Sequence, residues 1–137
     1  MTDYLLDTCA VIWTAHNDPL REPAASALQD AYRLGARLFV SPITAWEIAM
    51  LVAKGKIVLA QDTGPWFERF CALPSITLAA MPVSVLVAST ALPGAPPHDP
   101  ADRIIIATAR AFGYVLATRD AEILEYAGQG HVRVVEC

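Results

Sequence analysis

Hydrophobic and polar residues alternate along the chain in blocks that predict strands and helices in turn. Short apolar runs predict strands at residues 4–6, 38–40, 76–80, 114–117 and 132–135. Segments bounded by Gly, Pro or capping residues predict helices at residues 10–15, 42–54, 64–73, 84–92, 100–112 and 121–126. Residues 19–34 predict one or two further helices that end before Gly35. This alternation predicts a parallel β-sheet with helices on both faces.

The cores of the predicted strands are continuously apolar, as in Leu38-Phe39-Val40 and Val115-Leu116. Strands that are buried on both faces of a sheet have this pattern, whereas half-exposed strands alternate. A length of 137 residues fits one domain. We therefore predict a single α/β domain over residues 1–137, with ligands binding beyond the carboxyl ends of its strands.

Composition excludes some classes of protein. Hydrophobic residues make up 55% of the chain and charged residues 18%, which is too apolar for a disordered protein. The net charge of −4 argues against a polybasic nucleic-acid binder. The chain has 14 acids and 10 bases, so four acids set aside on a metal would leave equal numbers of each. The acidity therefore does not exclude a nucleic-acid substrate.

The cysteines and the apolar segments bear on where the protein works. Cys9, Cys71 and Cys137 are odd in number and far apart, which predicts free thiols in a reducing, cytoplasmic compartment. The first residues lack the pattern of a signal peptide. Residues 70–97 contain no charged side chain, but five prolines interrupt them. We therefore predict a buried strand and a helix there, and no membrane span.

Acidic residues cluster at the ends of the predicted strands. Asp7 directly follows the first strand, and Asp120 lies three residues after the fourth. Glu47 lies about two turns into the helix that follows the second strand. Because parallel strands end at one edge of a sheet, these three acids are predicted to lie together. Asp102, in the first turn of the helix before the fourth strand, is placed there less directly, because another helix precedes its own.

Each of these acids also has a purely structural interpretation. Glu47 could be the third residue of a capping box with Thr44, in the pattern Thr-x-x-Glu. Asp102 could complement the positive end of its helix, and Asp120 could cap the short helix that follows it. Asp99 precedes a proline at a helix start, which favours an N-cap over a ligand.

Asp7 is the hardest of the acids to explain structurally. It lies between Leu5-Leu6 and the segment Cys9-Ala10-Val11-Ile12, where a carboxylate is costly unless it is paired or bound to a cation. Two carboxylates about 4 Å apart repel by roughly 4 kcal/mol at an effective dielectric near 20. Several in one pocket would therefore protonate or bind a cation. Oxygen ligands without His or Cys favour Mg²⁺ or Mn²⁺, which indicates metal-dependent phosphodiester hydrolysis as a class.

Four segments together resemble the motifs of PIN-domain ribonucleases, and in particular the VapC-type toxins of type II toxin–antitoxin pairs. They are residues 4–8 (YLLDT), 46–48 (WEI), 99–109 (DPADRIIIATA) and 116–120 (LATRD). The resemblance spans essentially the whole chain, with the motifs in the family's order. It implies a PIN-like three-layer α/β/α sandwich with a central, mostly parallel sheet.

The resemblance also implies a set of catalytic residues and a cofactor. The family's acidic quartet maps onto Asp7, Glu47, Asp102 and Asp120. One or two Mg²⁺ ions, or Mn²⁺, would be held most directly by Asp7 and Asp102. Thr118 would orient an acid or a water molecule through its hydroxyl. Asp99 matches an acid found in this subgroup before the third motif, and we rank it below the quartet.

The implied function is that of a Mg²⁺-dependent endoribonuclease toxin that hydrolyses RNA with metal-activated water. The products would carry a 5′-phosphate and a 3′-hydroxyl. The implied partners are RNA, a second copy of the chain and a VapB-type antitoxin whose tail occupies the active-site groove.

Two other functions remain open. A phosphatase could use Asp7 as its nucleophile, although such enzymes usually place a second aspartate where this chain has Cys9. Alternatively, the chain could be a catalytically silent PIN-fold protein whose acids hold a structural metal or bind a partner's arginines.

Three tryptophans and three arginines could contact RNA. Helical spacing favours packing in the core or in a dimer over base stacking for Trp13 and Trp46. Arg103, Arg110 and Arg119 flank the predicted pocket and could bind RNA phosphates. Arg103 and Arg119 could equally form ion pairs with the neighbouring acids.

Overall fold

The five predicted strands pair into one sheet in a computed structural model that describes residues 2–16, 20 and 22–137. The strands are β1 (Tyr4–Leu6), β2 (Leu38–Val40), β3 (Ile76–Leu78), β4 (Val115–Thr118) and β5 (Val134–Glu136). In this part of the chain the helices are α1 (Thr8–Ala15), α2 (Ala24–Arg33), α3 (Pro42–Ala53), α4 (Thr63–Cys71), α5 (Val83–Ser89), α6 (Pro100–Phe112) and α7 (Ala121–Gly128).

All neighbouring strands in the sheet are parallel, in the order β3-β2-β1-β4-β5. The central strand β1 pairs with β2 on one side and β4 on the other, with Leu5 opposite Phe39 and Leu116. The chain turns to one side of β1 for β2 and to the other for β4. Ligands of open parallel sheets bind where the strand order reverses in this way.

Helices cover both faces of the sheet. Leu6 and Val40 face a core built with residues of α1, α2, α3 and α4, including Val11, Ile48 and Phe67. Leu5, Phe39 and Leu116 face the opposite core, which contains Ile105 of α6 and Ile123 of α7. Adjacent strand residues point to opposite faces, which is why continuous apolar runs suit this sheet. The predicted three-layer α/β/α sandwich is confirmed.

The observed elements differ from the predicted ones mainly at their ends. Helix α1 begins at Thr8, two residues earlier than predicted, because Asp7 caps it. Strand β3 ends at Leu78, helix α5 ends at Ser89 and strand β5 begins at Val134, each inside its predicted range. Of the helical prediction at 19–34, α2 accounts for Ala24–Arg33, and Pro19 and Arg21 lie outside the described residues.

The charge-free segment after Phe70 forms strand β3 and helix α5, as predicted. Within residues 2–16, 20 and 22–137, no helix combines the length and the hydropathy that a membrane crossing requires. Cys9, Cys71 and Cys137 are all free thiols, as predicted, and the compartment stays a prediction.

Candidate active site

Asp7 lies at the carboxyl end of the central strand and is 4% exposed. One carboxylate oxygen accepts a hydrogen bond from the Ala10 backbone N–H at 2.8 Å, which caps α1. The other oxygen accepts from the Thr118 hydroxyl at 2.5 Å. Both oxygens are thus held by the fold, which disfavours Asp7 as the attacking nucleophile of a phosphatase.

Thr118 joins two of the predicted acids. It is the last residue of β4 and is fully buried. Its hydroxyl donates to Asp7 and accepts from the Asp120 backbone N–H at 3.0 Å. Asp120 in turn caps α7, because its Oδ1 accepts from the N–H groups of Glu122 and Ile123. The capping interpretation of Asp120 is confirmed, and its second oxygen makes no bond with the described residues.

Glu47 is held from a different helix. Its Oε1 accepts from the Thr8 hydroxyl at 2.5 Å, and Thr8 Oγ1 lies 3.2 Å from Thr44 Oγ1. The N-cap of α3 is Ser41, whose hydroxyl oxygen accepts from the Ile43 N–H. The alternative of a capping box with Thr44 is therefore wrong, because Thr44 lies inside the helix. Glu47 points towards the N-terminus of α1 instead.

Asp99 and Asp102 occupy the start of α6. Asp99 is its N-cap and accepts from the Asp102 backbone N–H at 3.0 Å, as the Asp-Pro pattern predicts. The same carboxylate also belongs to a group of three acids. One oxygen each from Glu47, Asp99 and Asp102 lie within 4.8 Å of one another. Asp7 is not a member of this group, and its predicted sharing of an ion with Asp102 stays a prediction.

The five acids nevertheless share one electrostatic environment. Burial, followed by the charges of Asp99, Asp120, Glu47 and Asp7, raises the pKa of Asp102 to about 7. Burial raises the pKa of Asp7, against the opposing effect of the Thr118 hydrogen bond. Burial also raises the pKa of Glu47, and the hydrogen bond from Thr8 opposes this effect. The site therefore concentrates more negative charge than it can easily hold at neutral pH.

The nearby arginines do not neutralise this charge by direct contact, although the charge of Arg119 lowers the pKa of Asp7. Within the part of the chain that the structure describes, neither Arg103 nor Arg119 forms an ion pair with a carboxylate. Arg103 Nε donates to the Pro97 carbonyl at 2.6 Å. Arg119 donates to the Cys137 carbonyl, and its guanidinium lies 3.2 Å from the centre of the Trp13 ring. The alternative that these arginines pair with the acids is therefore wrong, because backbone carbonyls and a ring hold them instead.

The donor set suits a hard divalent cation. Glu47, Asp99 and Asp102 offer only carboxylate oxygens, which Mg²⁺ and Mn²⁺ prefer. Ligands of one Mg²⁺ lie at most about 4.2 Å apart, twice the usual Mg–O distance of about 2.1 Å. Only one pair among three ligands can be that far apart, because neighbouring positions of an octahedron lie about 3.0 Å apart. The three oxygens lie within 4.8 Å of one another, so binding one ion together would need side-chain movements of up to about 2 Å. A cation there would also relieve the repulsion that raises the pKa of Asp102.

The model of the PIN domain family matches residues 4–129 of the chain. This chain is a PIN-domain protein. The matched range begins at β1 and ends after α7, so it includes all five acids and every strand except β5.

Named proteins are similar to this PIN domain over nearly its whole length. It is 33% identical over 124 residues to Ribonuclease VapC22 of Mycobacterium tuberculosis, covering 90% of this chain and 91% of the relative. It resembles a chain of VapBC2 from Rickettsia felis, solved with a promoter DNA fragment, with a TM-score of 0.68, 12% identity and 98% coverage of both chains. It also resembles a chain of FitAcB from Neisseria gonorrhoeae, with a TM-score of 0.56, 23% identity and 96% coverage of both chains. These structural likenesses confirm the fold.

Two functional groups of this PIN domain were not predicted from its sequence. They are the hydroxyls of Thr8 and Thr44, which contact each other and fix Glu47. The position of Thr8, directly after Asp7, was the available clue. The bond between Thr8 and Glu47 spans 39 residues, so no local pattern reveals it.

The tryptophans of the PIN domain differ in their surroundings. Trp13 packs partly against the core, as helical spacing predicts. Trp46 is 55% exposed and therefore is not a core residue. The alternative that it packs in a dimer stays a prediction.

Proposed function

We propose that this PIN domain is a Mg²⁺- or Mn²⁺-dependent endoribonuclease and the toxin of a type II toxin–antitoxin pair. The observation that carries the proposal is the group formed by Glu47, Asp99 and Asp102, with Asp7 and Asp120 close enough to raise the pKa of Asp102. A relative at 33% identity is named a ribonuclease, which supports RNA as the substrate.

The residues of the site divide into direct ligands and supports. Glu47, Asp99 and Asp102 would hold the ion, which when bound supplies positive charge for the phosphate oxygens and acidifies water. Each oxygen of Asp7 accepts one hydrogen bond and keeps a lone pair, so Asp7 can also ligate the ion. We infer that Asp7 contributes its negative charge as well, since that charge raises the pKa of Asp102. The charge of Asp120 acts on Asp102, and we infer that its second oxygen, which the cap does not use, accepts a proton from a reacting water molecule.

The experiment that tests the activity is incubation of purified protein with total RNA, with and without Mg²⁺. We expect Mg²⁺-dependent cleavage that excess EDTA stops, and at least a hundredfold loss, on the order seen for metal-ligand removal, in Asp102→Asn. The matched control is Asp62→Asn, since Asp62 is an exposed helix cap whose side chain makes no capping hydrogen bond. Unchanged cleavage in EDTA or in Asp102→Asn would contradict the proposal.

A VapB-type antitoxin is the proposed regulatory partner. The names of the structural neighbours VapBC2 and FitAcB join a toxin with its antitoxin, which supports a partner of this type. An antitoxin segment with Arg or Lys side chains would complement five carboxylates that have no cationic partner among the described residues. Inhibition of RNA cleavage by one equivalent of the antitoxin, relieved by neutralising those basic residues, tests this part.

A homodimer is the second proposed assembly. Val83 and Val87, four residues apart on one face of α5, are 75% and 62% exposed. Large exposed apolar patches are typical of surfaces that another chain covers, and we infer that these valines belong to such a surface. Light scattering should give twice the chain mass for the wild type and the single mass for Val87→Glu. A monomeric wild type would contradict the dimer without bearing on the nuclease activity.

A further inference from the structure

The segment between α5 and α6, residues 90–99, delivers Asp99 to the acidic group. We call it the α5–α6 loop. It contains three prolines and Gly94, and it has no regular secondary structure. Asp99 is its last residue and is exposed, unlike Glu47 and Asp102, which are half-buried on helices. The position of the Asp99 carboxylate therefore depends on how this loop is held.

Two side chains at the end of α7 bind the backbone of the loop. The buried Tyr126 donates its hydroxyl proton to the Pro93 carbonyl at 2.7 Å. The Gln129 amide binds both backbone groups of Ala95. Its Oε1 accepts from the Ala95 N–H at 2.9 Å, and its Nε2 donates to the Ala95 carbonyl at 3.4 Å.

Gly94 allows the close approach of these groups. It adopts a φ of +70°, and a Cβ at this position would lie 2.5 Å from Gln129 Oε1 and 2.8 Å from His131 Nε2. Farther along the loop, Arg103 donates to the Pro97 carbonyl. Alternate residues of the loop, at positions 93, 95 and 97, are thus each bound by a side chain of α6 or the α7 end.

These contacts also limit how far the Asp99 carboxylate can move away from the other two acids. Without a cation, the charges of Glu47 and Asp102 push the exposed Asp99 carboxylate outward. Its cap bond to the Asp102 N–H holds it from the helix side only. A rigid loop backbone restricts the movement of Asp99 from the side of the preceding residues. Less conformational entropy is therefore lost when the carboxylates gather around an ion.

We propose that Gln129 and Tyr126 are positioning residues that hold the α5–α6 loop so that Asp99 stands ready to ligate the cation with Glu47 and Asp102. This inference rests on the proposed function, since it assigns a role within the same site. A purely structural role of these contacts makes a different prediction. It would lower the thermal stability and the fraction of folded protein, but it would leave the cation affinity of the folded molecules unchanged.

The test measures Mn²⁺ binding to the full chain by electron paramagnetic resonance, alongside amide hydrogen exchange at Ala95. Two variants are compared with the wild type, Gln129→Ala and Tyr126→Phe, and the latter removes a single oxygen. Gln29→Ala is the matched control, because Gln29 is exposed on α2. Arg103 is left unchanged, because it is adjacent to Asp102 in the sequence and a substitution there would disturb a proposed ligand.

We expect faster exchange of the Ala95 amide in Gln129→Ala and a rise of about tenfold in the Mn²⁺ dissociation constant, as for other residues that orient metal ligands. Tyr126→Phe should raise the dissociation constant about threefold, since one hydrogen bond is lost. Cleavage at saturating Mn²⁺ should stay within about twofold of the wild type. Gln29→Ala should match the wild type in all three measurements.

Faster Ala95 exchange with an unchanged Mn²⁺ affinity in both variants would overturn the positioning role. Wild-type protein that binds no Mn²⁺ would overturn it together with the proposed function. A wild type that binds Mn²⁺ and cleaves no RNA, while the variants bind more weakly, would contradict the nuclease proposal alone and support the positioning role.

Discussion

The hydroxyl of Thr118 donates to the Asp7 carboxylate at 2.5 Å across 111 residues of sequence. The bond joins the carboxyl ends of two adjacent parallel strands, β1 and β4. It favours the ionised form of a carboxyl group that burial otherwise pushes towards the neutral form. Thr118 therefore helps to keep negative charge at the centre of the site.

Thr118→Val should weaken RNA cleavage by about tenfold near pH 7. Valine has nearly the same shape but cannot donate, so the pKa of Asp7 rises further and less of the carboxylate is ionised. Raising the pH should recover part of the lost activity, so the pH profile shifts towards the alkaline side. Thr118→Ser keeps the hydroxyl and serves as the control. An unshifted profile in Thr118→Val would show that the bond does not tune Asp7.

Cation binding should release protons in the neutral range. The pKa of Asp102 is about 7 in the metal-free protein, and the cation binds only its ionised form. Below pH 7 a proton must leave when the ion binds, so the Mn²⁺ affinity should fall about tenfold between pH 8 and pH 6. Calorimetry in two buffers of different ionisation enthalpy measures the protons released. Equal affinities at the two pH values would contradict the raised pKa.

Asp102→Asn should stabilise the metal-free protein at pH 8. The folded pKa of about 7 lies above the ordinary value of 3.8, so the folded state binds the proton more tightly than the unfolded state. The free energy of unfolding of the wild type therefore falls as the pH rises from 3.8 to about 7. Asparagine does not ionise, so burying it carries no such charge cost. The melting temperature of the variant in EDTA at pH 8 should therefore be about 2 to 4 °C above that of the wild type.

The advantage of Asp102→Asn should disappear below pH 4, where the wild-type carboxyl is protonated in both states. Added Mg²⁺ should raise the melting temperature of the wild type more than that of the variant. A variant that melts below the wild type in EDTA at pH 8 would contradict the repulsion within the site.

Asp120 should show two separable roles. Its Oδ1 caps α7, and asparagine caps about as well as aspartate, so Asp120→Asn should keep the thermal stability. The same variant removes a charge from the site, so cleavage should fall by about tenfold or more. Asp120→Ala should lose the activity and also about 1 kcal/mol of stability. Full activity in Asp120→Asn would limit Asp120 to its cap.

Gly94 should be less replaceable than Gly113, although both have a positive φ. A Cβ at Gly113 meets no atom within 4 Å, whereas one at Gly94 meets Gln129 and His131. Gly113→Ala should therefore cost about 1 kcal/mol, the strain of a left-handed alanine. Gly94→Ala should cost about 1 to 3 kcal/mol more, since Gln129 must also move. Urea unfolding of both variants measures the difference, and equal losses would contradict this crowding.

The element order and the fold class were predictable because their patterns are local. Apolar runs, caps such as Ser41-Pro42 and Asp99-Pro100, and the terminating Gly113 each act within a few residues. Element ends were less predictable. Helix α1 starts early because Asp7 caps it. The apolar neighbours of Asp7 indicated a functional carboxylate, and they gave no sign that the same residue is also an N-cap.

The candidate site was predictable as a set of acids and unpredictable as an arrangement. The sequence by itself determined which carboxylates follow the strands, since residue order places them at one edge of a parallel sheet. Only the tertiary structure decided that Glu47 binds Thr8 and that Asp99 joins Asp102 while still capping its helix. It also decided that Arg103 binds a carbonyl and no acid. These outcomes depend on distances of a few ångströms between side chains from separate elements, and no local pattern in a chain encodes such distances.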